Sequence, residues 1–148
     1  MNIERLERLV ELLEKVNEEK ELREQFDMEY WVSEPLCEEN PQDHKDLIHC
    51  GCTACALGFA ALDSEFNNEG LLLDEELCPY FVKESQTYYG FEAASKFFEI
   101  SVETCFYLFS EEYYREISEL NEEREAIRPI EVEEVINRIK QYMSDING

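Results

Sequence analysis

A mainly α, compact single-domain fold is what this sequence predicts, and three observations predict it. Apolar residues recur at helical spacing at both ends of the chain, a proline-free run of small residues occupies the middle, and 148 residues suffice for one core. About five helices are expected, with a short β-hairpin near 71–82. The chain is 44% hydrophobic and 12% aromatic, too rich in core-forming groups for a disordered acidic protein, although 33% of it is charged. No internal repeat or linker divides it, so 1–148 reads as a single domain.

The first helix is expected from Asn2 to about Glu24. Ile3, Leu6, Leu9, Val10, Leu13 and Val16 share one face, and Glu, Lys and Arg fill the other. From Gln25 to His49 the aromatic start Phe26-Asp27-Met28-Glu29-Tyr30-Trp31-Val32 gives way to Pro35, Pro41 and a polar run, which predicts a long connection. Connections of that length in small domains often bind something. Trp31, the single tryptophan, should pin this segment to the core; the alternative is one wall of a ligand pocket.

A second helix is expected from Thr53 to about Glu65, with Ala54, Gly58 and Ala61 on one small-residue stripe. Glycine inside a helix costs about 1 kcal/mol against alanine, so Gly58 marks close approach of another backbone or of a ligand. Asn67-Asn68-Glu69-Gly70 ends the helix; Leu71-Leu72-Leu73 and Pro79-Tyr80-Phe81-Val82 are the expected hairpin strands. Phe91, Ala94, Phe97 and Phe98 form the stripe of a helix from Gly90 to Phe98. Ser101 is the N-cap of a helix carrying Val102, Cys105, Phe106, Leu108 and Phe109. Beyond an acidic connector from Glu111 to Glu125, Arg128-Pro129 opens a last helix that buries Ile130, Val132, Val135, Ile136, Ile139 and Met143.

Thirty-six acidic residues against thirteen basic ones give a formal charge of −23, which opposes direct nucleic-acid binding and docking on anionic lipid. The start of the chain lacks a secretion signal, and no stretch approaches the roughly 20 apolar residues of a membrane span, so a cytoplasmic protein is expected. The acidic excess suits solvated helix faces, or a protein that imitates DNA or covers a host enzyme. An exposed half of the long first helix or the connector near Tyr113-Tyr114 would suit a homo-oligomer contact, and each reads at least as well as core.

The stretch His49 to Ala60 holds three of the six cysteines and one of the two histidines. Placed just before a helix, Cys50-Gly51-Cys52-Thr53 would present unpaired amides and the positive end of the helix dipole, which suits phosphate or carboxylate. An ordinary capped helix start is the competing explanation. Cys52 and Cys55 have dithiol spacing, yet the strand and the proline loop that accompany such redox sites are missing. His49 with Cys50, Cys52 and Cys55 could supply zinc ligands, but the second spacing unit of a structural site is absent. A Cys/His nucleophile pair lacks an orienting motif. No metal, no cofactor and no catalytic residue is therefore assigned. The ligand-binding candidates are Trp31, His49, Cys50, Gly51, Cys52, Thr53 and Ala54.

Phe26-Asp27-Met28 with Trp31, then Cys50-Gly51-Cys52-Thr53-Ala54-Cys55-Ala56 with Gly58, then Phe91-Glu92-Ala93-Ala94 with Phe97-Phe98 and Leu108-Phe109, resemble a group of small uncharacterised phage and bacterial proteins. The likeness spans roughly residues 1–143. That group's central motif reads C-G-T-x-A-C-A-x-G, so Cys52 stands where a threonine is usual, which weakens a dithiol built on Cys52. The resemblance carries no activity. It implies a phage or bacterial setting; taken with the helix-start geometry and the nearby Tyr30 and Trp31, that setting suits a non-enzymatic binding protein that sequesters a small anionic, nucleotide-like signal in host–phage conflict. An acidic protein-interaction inhibitor or DNA mimic is the first alternative, and a cysteine-based redox or hydrolytic enzyme the second.

Overall fold

The structure, a computed structural model, describes residues 1–28, 31, 54–114 and 130–147. It is mainly α-helical with one small antiparallel sheet, as the sequence predicts. Helix α1 (Ile3–Glu18) is capped by Asn2, whose Oδ1 accepts from the Arg5 N–H at 3.1 Å. Leu6, Leu9, Val10, Leu13 and Val16 form its buried stripe, and each such side chain contributes roughly 1.5–3 kcal/mol. The chain breaks helical geometry at Glu19 and resumes as the short α2 (Lys20–Glu24), so the expected single helix to Glu24 is two.

A larger correction concerns the middle of the chain. The helix expected from Thr53 to Glu65 begins instead at Ala56 and is again two: α3 (Ala56–Leu62) and α4 (Ser64–Asn68). Cys55 is the N-cap of α3, its Sγ accepting from the Gly58 N–H at 3.4 Å. Asp63 separates the two helices, because its carboxylate accepts from the Glu65 and Phe66 amides and starts a new helix there. Every residue of α3 is buried, which explains a stretch of small uncharged residues better than any ligand role.

The sheet runs β1 (Leu72–Leu73), β2 (Pro79–Lys83), β3 (Gln86–Tyr89), in that spatial order. The expected hairpin is present, with Leu72 opposite Tyr80 and Leu73 opposite Pro79. Strand β3 is an addition. It pairs with β2 through a two-residue turn in which Glu84 and Ser85 both adopt positive φ, 51° and 67°. Two-residue turns of this kind usually announce themselves as Asn-Gly or Asp-Gly, and Glu-Ser does not.

Helix α5 (Gly90–Phe98) follows directly, then α6 (Val102–Phe109) with Ser101 as its cap, the Thr104 N–H donating to Ser101 Oγ at 3.1 Å. A short helical stretch occupies 111–114. The last helix, α7 (Val132–Asn147), packs along α1 and buries Val135, Ile136 and Ile139. Arg128-Pro129, expected to open it, lie outside the described residues. The core joins the stripes of α1, α3, α5, α6 and α7, with Phe66, Phe97, Phe98 and Phe109 buried at its centre. Phe97 meets Phe66, Phe81 and Phe98 edge-on at centroid separations of 5.0–5.5 Å. No described helix is long and apolar enough to cross a membrane.

Candidate functional site

The ligand-binding candidates divide into two sets. His49, Cys50, Gly51, Cys52 and Thr53 lie outside the described residues, as do most of the expected loop from Gln25 to His49 and most of the connector from Glu111 to Glu125. Trp31 and Ala54 are described, and backbone pairing brings them together.

Ala54 belongs to a parallel bridge with Phe26. Its N–H donates to the Gln25 carbonyl at 2.9 Å, and its carbonyl accepts from the Asp27 N–H at 2.9 Å. The next amide, that of Cys55, donates to the Trp31 carbonyl at 3.2 Å. The amides at 54 and 55 thus have partners within the chain, and neither is one of the unpaired groups that an anion at this turn would require.

Gly58 has the role its position implied, and the approaching group is backbone. A Cβ built there would stand 1.7 Å from the Trp31 carbonyl oxygen and 2.8 Å from its carbon. The chain at Trp31 therefore crosses α3 directly over the one residue that lacks a side chain. The indole then reaches across to the start of α5. It meets the Phe91 ring edge-on, 4.8 Å between centroids and 65° between planes, and the position of a Cβ on Gly90 (φ 59°) is only 3.4 Å from it. Phe91 in turn lies 4.6 Å from Phe106. Trp31 is half-buried, packed against the core and still open on one side, so it is both core anchor and cleft wall.

The cleft it borders has a volume of about 650 Å³. Trp31, Phe91 and Phe106 wall it, Met28, Cys55 and Phe109 lie deeper, and Glu76, Leu77 and Glu112 stand at its margin. Phe106, at 36% exposure, and Leu77, held at φ 65° in the β1–β2 connection, are cleft residues that the sequence reading missed. Phe91 and Phe106 read there as core positions, and helical spacing alone does not distinguish an aromatic that closes a core from one that opens onto a cleft.

The described cysteines are not activated. Burial pushes the Cys55 thiol up to about 11, against partial relief from the Gly58 amide, and pushes Cys105 up to about 12. Cys78 is also raised, by burial and then by the Asp74 carboxylate. Cys55, the described half of the dithiol spacing, is a buried neutral thiol at pH 7 that caps a helix. Among the described residues no three His, Cys, Asp or Glu side chains gather as metal ligands would.

The described acids are spread over many elements. Exposed glutamates occur on α1, α2, α4, α5, α6 and α7, and on the loops between. Among the described residues the acids do not gather into the single continuous carboxylate face that imitation of a duplex demands. Several cations are held within the fold: Arg8 pairs with Glu69 and covers the Phe66 ring, Arg5 covers Phe97 at 4.1 Å, and Arg138 covers Tyr114 at 3.6 Å and Tyr107 at 4.7 Å. No protein-family model, no curated protein and no solved structure matches the chain.

Proposed function

We propose that this chain is a non-enzymatic binding protein and that its Trp31 cleft takes a group carrying positive charge from a basic protein partner. One observation carries this reading: an aromatic cleft of about 650 Å³ with carboxylates at its margin, on a chain of net charge −23. The volume lies within the usual 300–1,000 Å³ of ligand sites. Aromatic side chains form the energetic centre of most interfaces, and a surrounding negative field speeds encounter with a basic partner. The raised thiol of Cys55 argues against a redox dithiol that includes it.

The alternative, sequestration of a small anionic nucleotide-like molecule in host–phage conflict, depends on His49 to Thr53 and on the motif resemblance. The paired amides of Ala54 and Cys55 and the carboxylates beside the cleft do not favour it. Titration followed by Trp31 emission separates the two. An arginine- and lysine-rich peptide should give a saturable change that weakens as salt rises. Saturable heat from linear or cyclic nucleotides or ADP-ribose derivatives, with no response to the peptide, would transfer the assignment to the anionic ligand. Silence with both would end the binding reading for this cleft.

A further inference from the structure

The β1–β2 connection that lends Glu76 and Leu77 to the Trp31 cleft lends its preceding residues, Asp74 and Glu75, to a second one. This cleft of about 290 Å³ is lined by Leu73, Asp74, Glu75, Tyr80 and Tyr89. Tyr80 and Tyr89 are register partners on β2 and β3. Because strand side chains alternate, Tyr80 points away from the face on which Phe81 meets Phe97, and so lies on the outer side of the sheet. The two tyrosine rings are 6.3 Å apart and inclined at 37°. Tyr89 keeps 54% of its surface in solvent, so its ring is open to a partner.

The carboxylates here have distinct tasks. Asp74 Oδ1 accepts from the Glu76 N–H at 2.8 Å and the Cys78 N–H at 3.0 Å, which fixes the turn and holds the carboxylate beside the cleft. Glu75 is exposed and makes no ion pair among the described residues. No described lysine or arginine covers Tyr80 or Tyr89 either, whereas Tyr88, Tyr107 and Tyr114 each have a cation over the ring. At Arg138 the fold shows what a tyrosine pair does with a guanidinium: the group lies against Tyr107 and Tyr114 and donates to the Tyr107 carbonyl at 2.9 Å.

We infer that the Tyr80–Tyr89 cleft is a recognition site for an arginine side chain of a partner polypeptide, the guanidinium stacking on the tyrosines and donating to the Glu75 carboxylate. The inference deepens the reading of the chain as a binder of basic protein and rests on it. Charge complementarity, ring geometry and size point to the same occupant. A guanidinium is planar and weakly hydrated, stacks on aromatic faces and pairs with carboxylate through two parallel donors, none of which an ammonium does as well. The cleft is at the small end of ligand sites, which suits a single side chain.

The test uses the full chain with N-acetyl-arginine-amide as probe and NMR of the tyrosine rings as readout. N-acetyl-citrulline-amide, the neutral isostere, and N-acetyl-lysine-amide serve as comparisons. Saturable shifts of the Tyr80 and Tyr89 resonances are expected with the arginine probe, about fivefold weaker with lysine and absent with citrulline. Tyr89→Ala, at an exposed position that should leave folding intact, should lose the response, and Glu75→Gln should weaken it about threefold. No saturable shift, an equal response to citrulline, or undiminished affinity in Tyr89→Ala would each overturn the assignment. The rings at 80 and 89 report independently of Trp31, so failure here is distinguishable from failure of the Trp31 cleft.

Discussion

Replacing Gly58 by alanine sets two physical effects against each other. Within α3 the substitution favours the helix by about 1 kcal/mol, because alanine loses less backbone freedom on folding. Against it stands the Trp31 carbonyl, 1.7 Å from where the new methyl would lie. Ordinary contact needs about 3.5 Å, so the peptide at 31 would have to retreat by nearly 2 Å. That displacement breaks the bond from the Cys55 amide, now 3.2 Å, and leaving a buried N–H without a partner costs about 1–3 kcal/mol. The Trp31–Phe91 edge contact, worth about 0.5–1.5 kcal/mol, goes with it. The net expectation is a loss of about 0.5–3.5 kcal/mol, or about 2–10 °C in Tm for a chain of this size. Thermal unfolding by circular dichroism measures the loss, and Trp31 emission should move to the red in the folded variant as the indole leaves Phe91. A Gly58→Ala protein as stable as the parent, with unchanged emission, would refute the crossing of Trp31 over α3.

Three other outcomes follow from described geometry. The double change Glu84→Asn, Ser85→Gly places residues suited to positive φ in the β2–β3 turn and should raise stability by about 1 kcal/mol, seen as a rise of about 2–4 °C. Cys55 and Cys105 have folded values raised from 9.0 to about 11 and about 12. Their contribution is complete below pH 9 and is lost as pH rises through those folded values, because the unfolded chain then releases protons that the folded one retains. Urea midpoints should accordingly fall between pH 9 and 12, and a flat profile there would mean that these thiols are not buried. The Lys140–Glu14 pair joins α7 to α1 at 2.8 Å, but both side chains are about half exposed, so Glu14→Gln should change stability by less than about 0.5 kcal/mol in chemical denaturation.

Much of the helical framework was legible in the sequence because it depends on a single periodicity. The α1 and α7 stripes, the Ser101 cap and the Gly90–Phe98 helix each follow from apolar spacing or from one hydroxyl, and the structure places them as expected except that Ile3 and Met143, at the helix ends, are only partly buried. Features governed by local competition were harder to read. Asp63 divides the central helix through two hydrogen bonds from its carboxylate, and the Glu84-Ser85 turn adopts a conformation its residues rarely favour. Gly58 shows how a site can be half legible: its spacing disclosed that something approaches closely, but only the fold identifies Trp31. Both clefts require residues from segments distant in sequence, such as Trp31 with Phe106 or Asp74 with Tyr89. No motif records such a juxtaposition.

The placement of Arg5, Arg8 and Arg138 over aromatic rings has a colloidal consequence. These are three of the thirteen basic residues, and among the described residues exposed carboxylates outnumber exposed lysines and arginines, so two copies of the chain meet each other with strongly negative net charge. Their mutual repulsion extends over roughly 8 Å at physiological ionic strength and shrinks to about 3 Å in molar salt. Light scattering should therefore give a strongly positive second virial coefficient in dilute buffer that falls as salt is added. Salt, or a basic molecule lying between the copies, would accordingly favour any self-association of this chain.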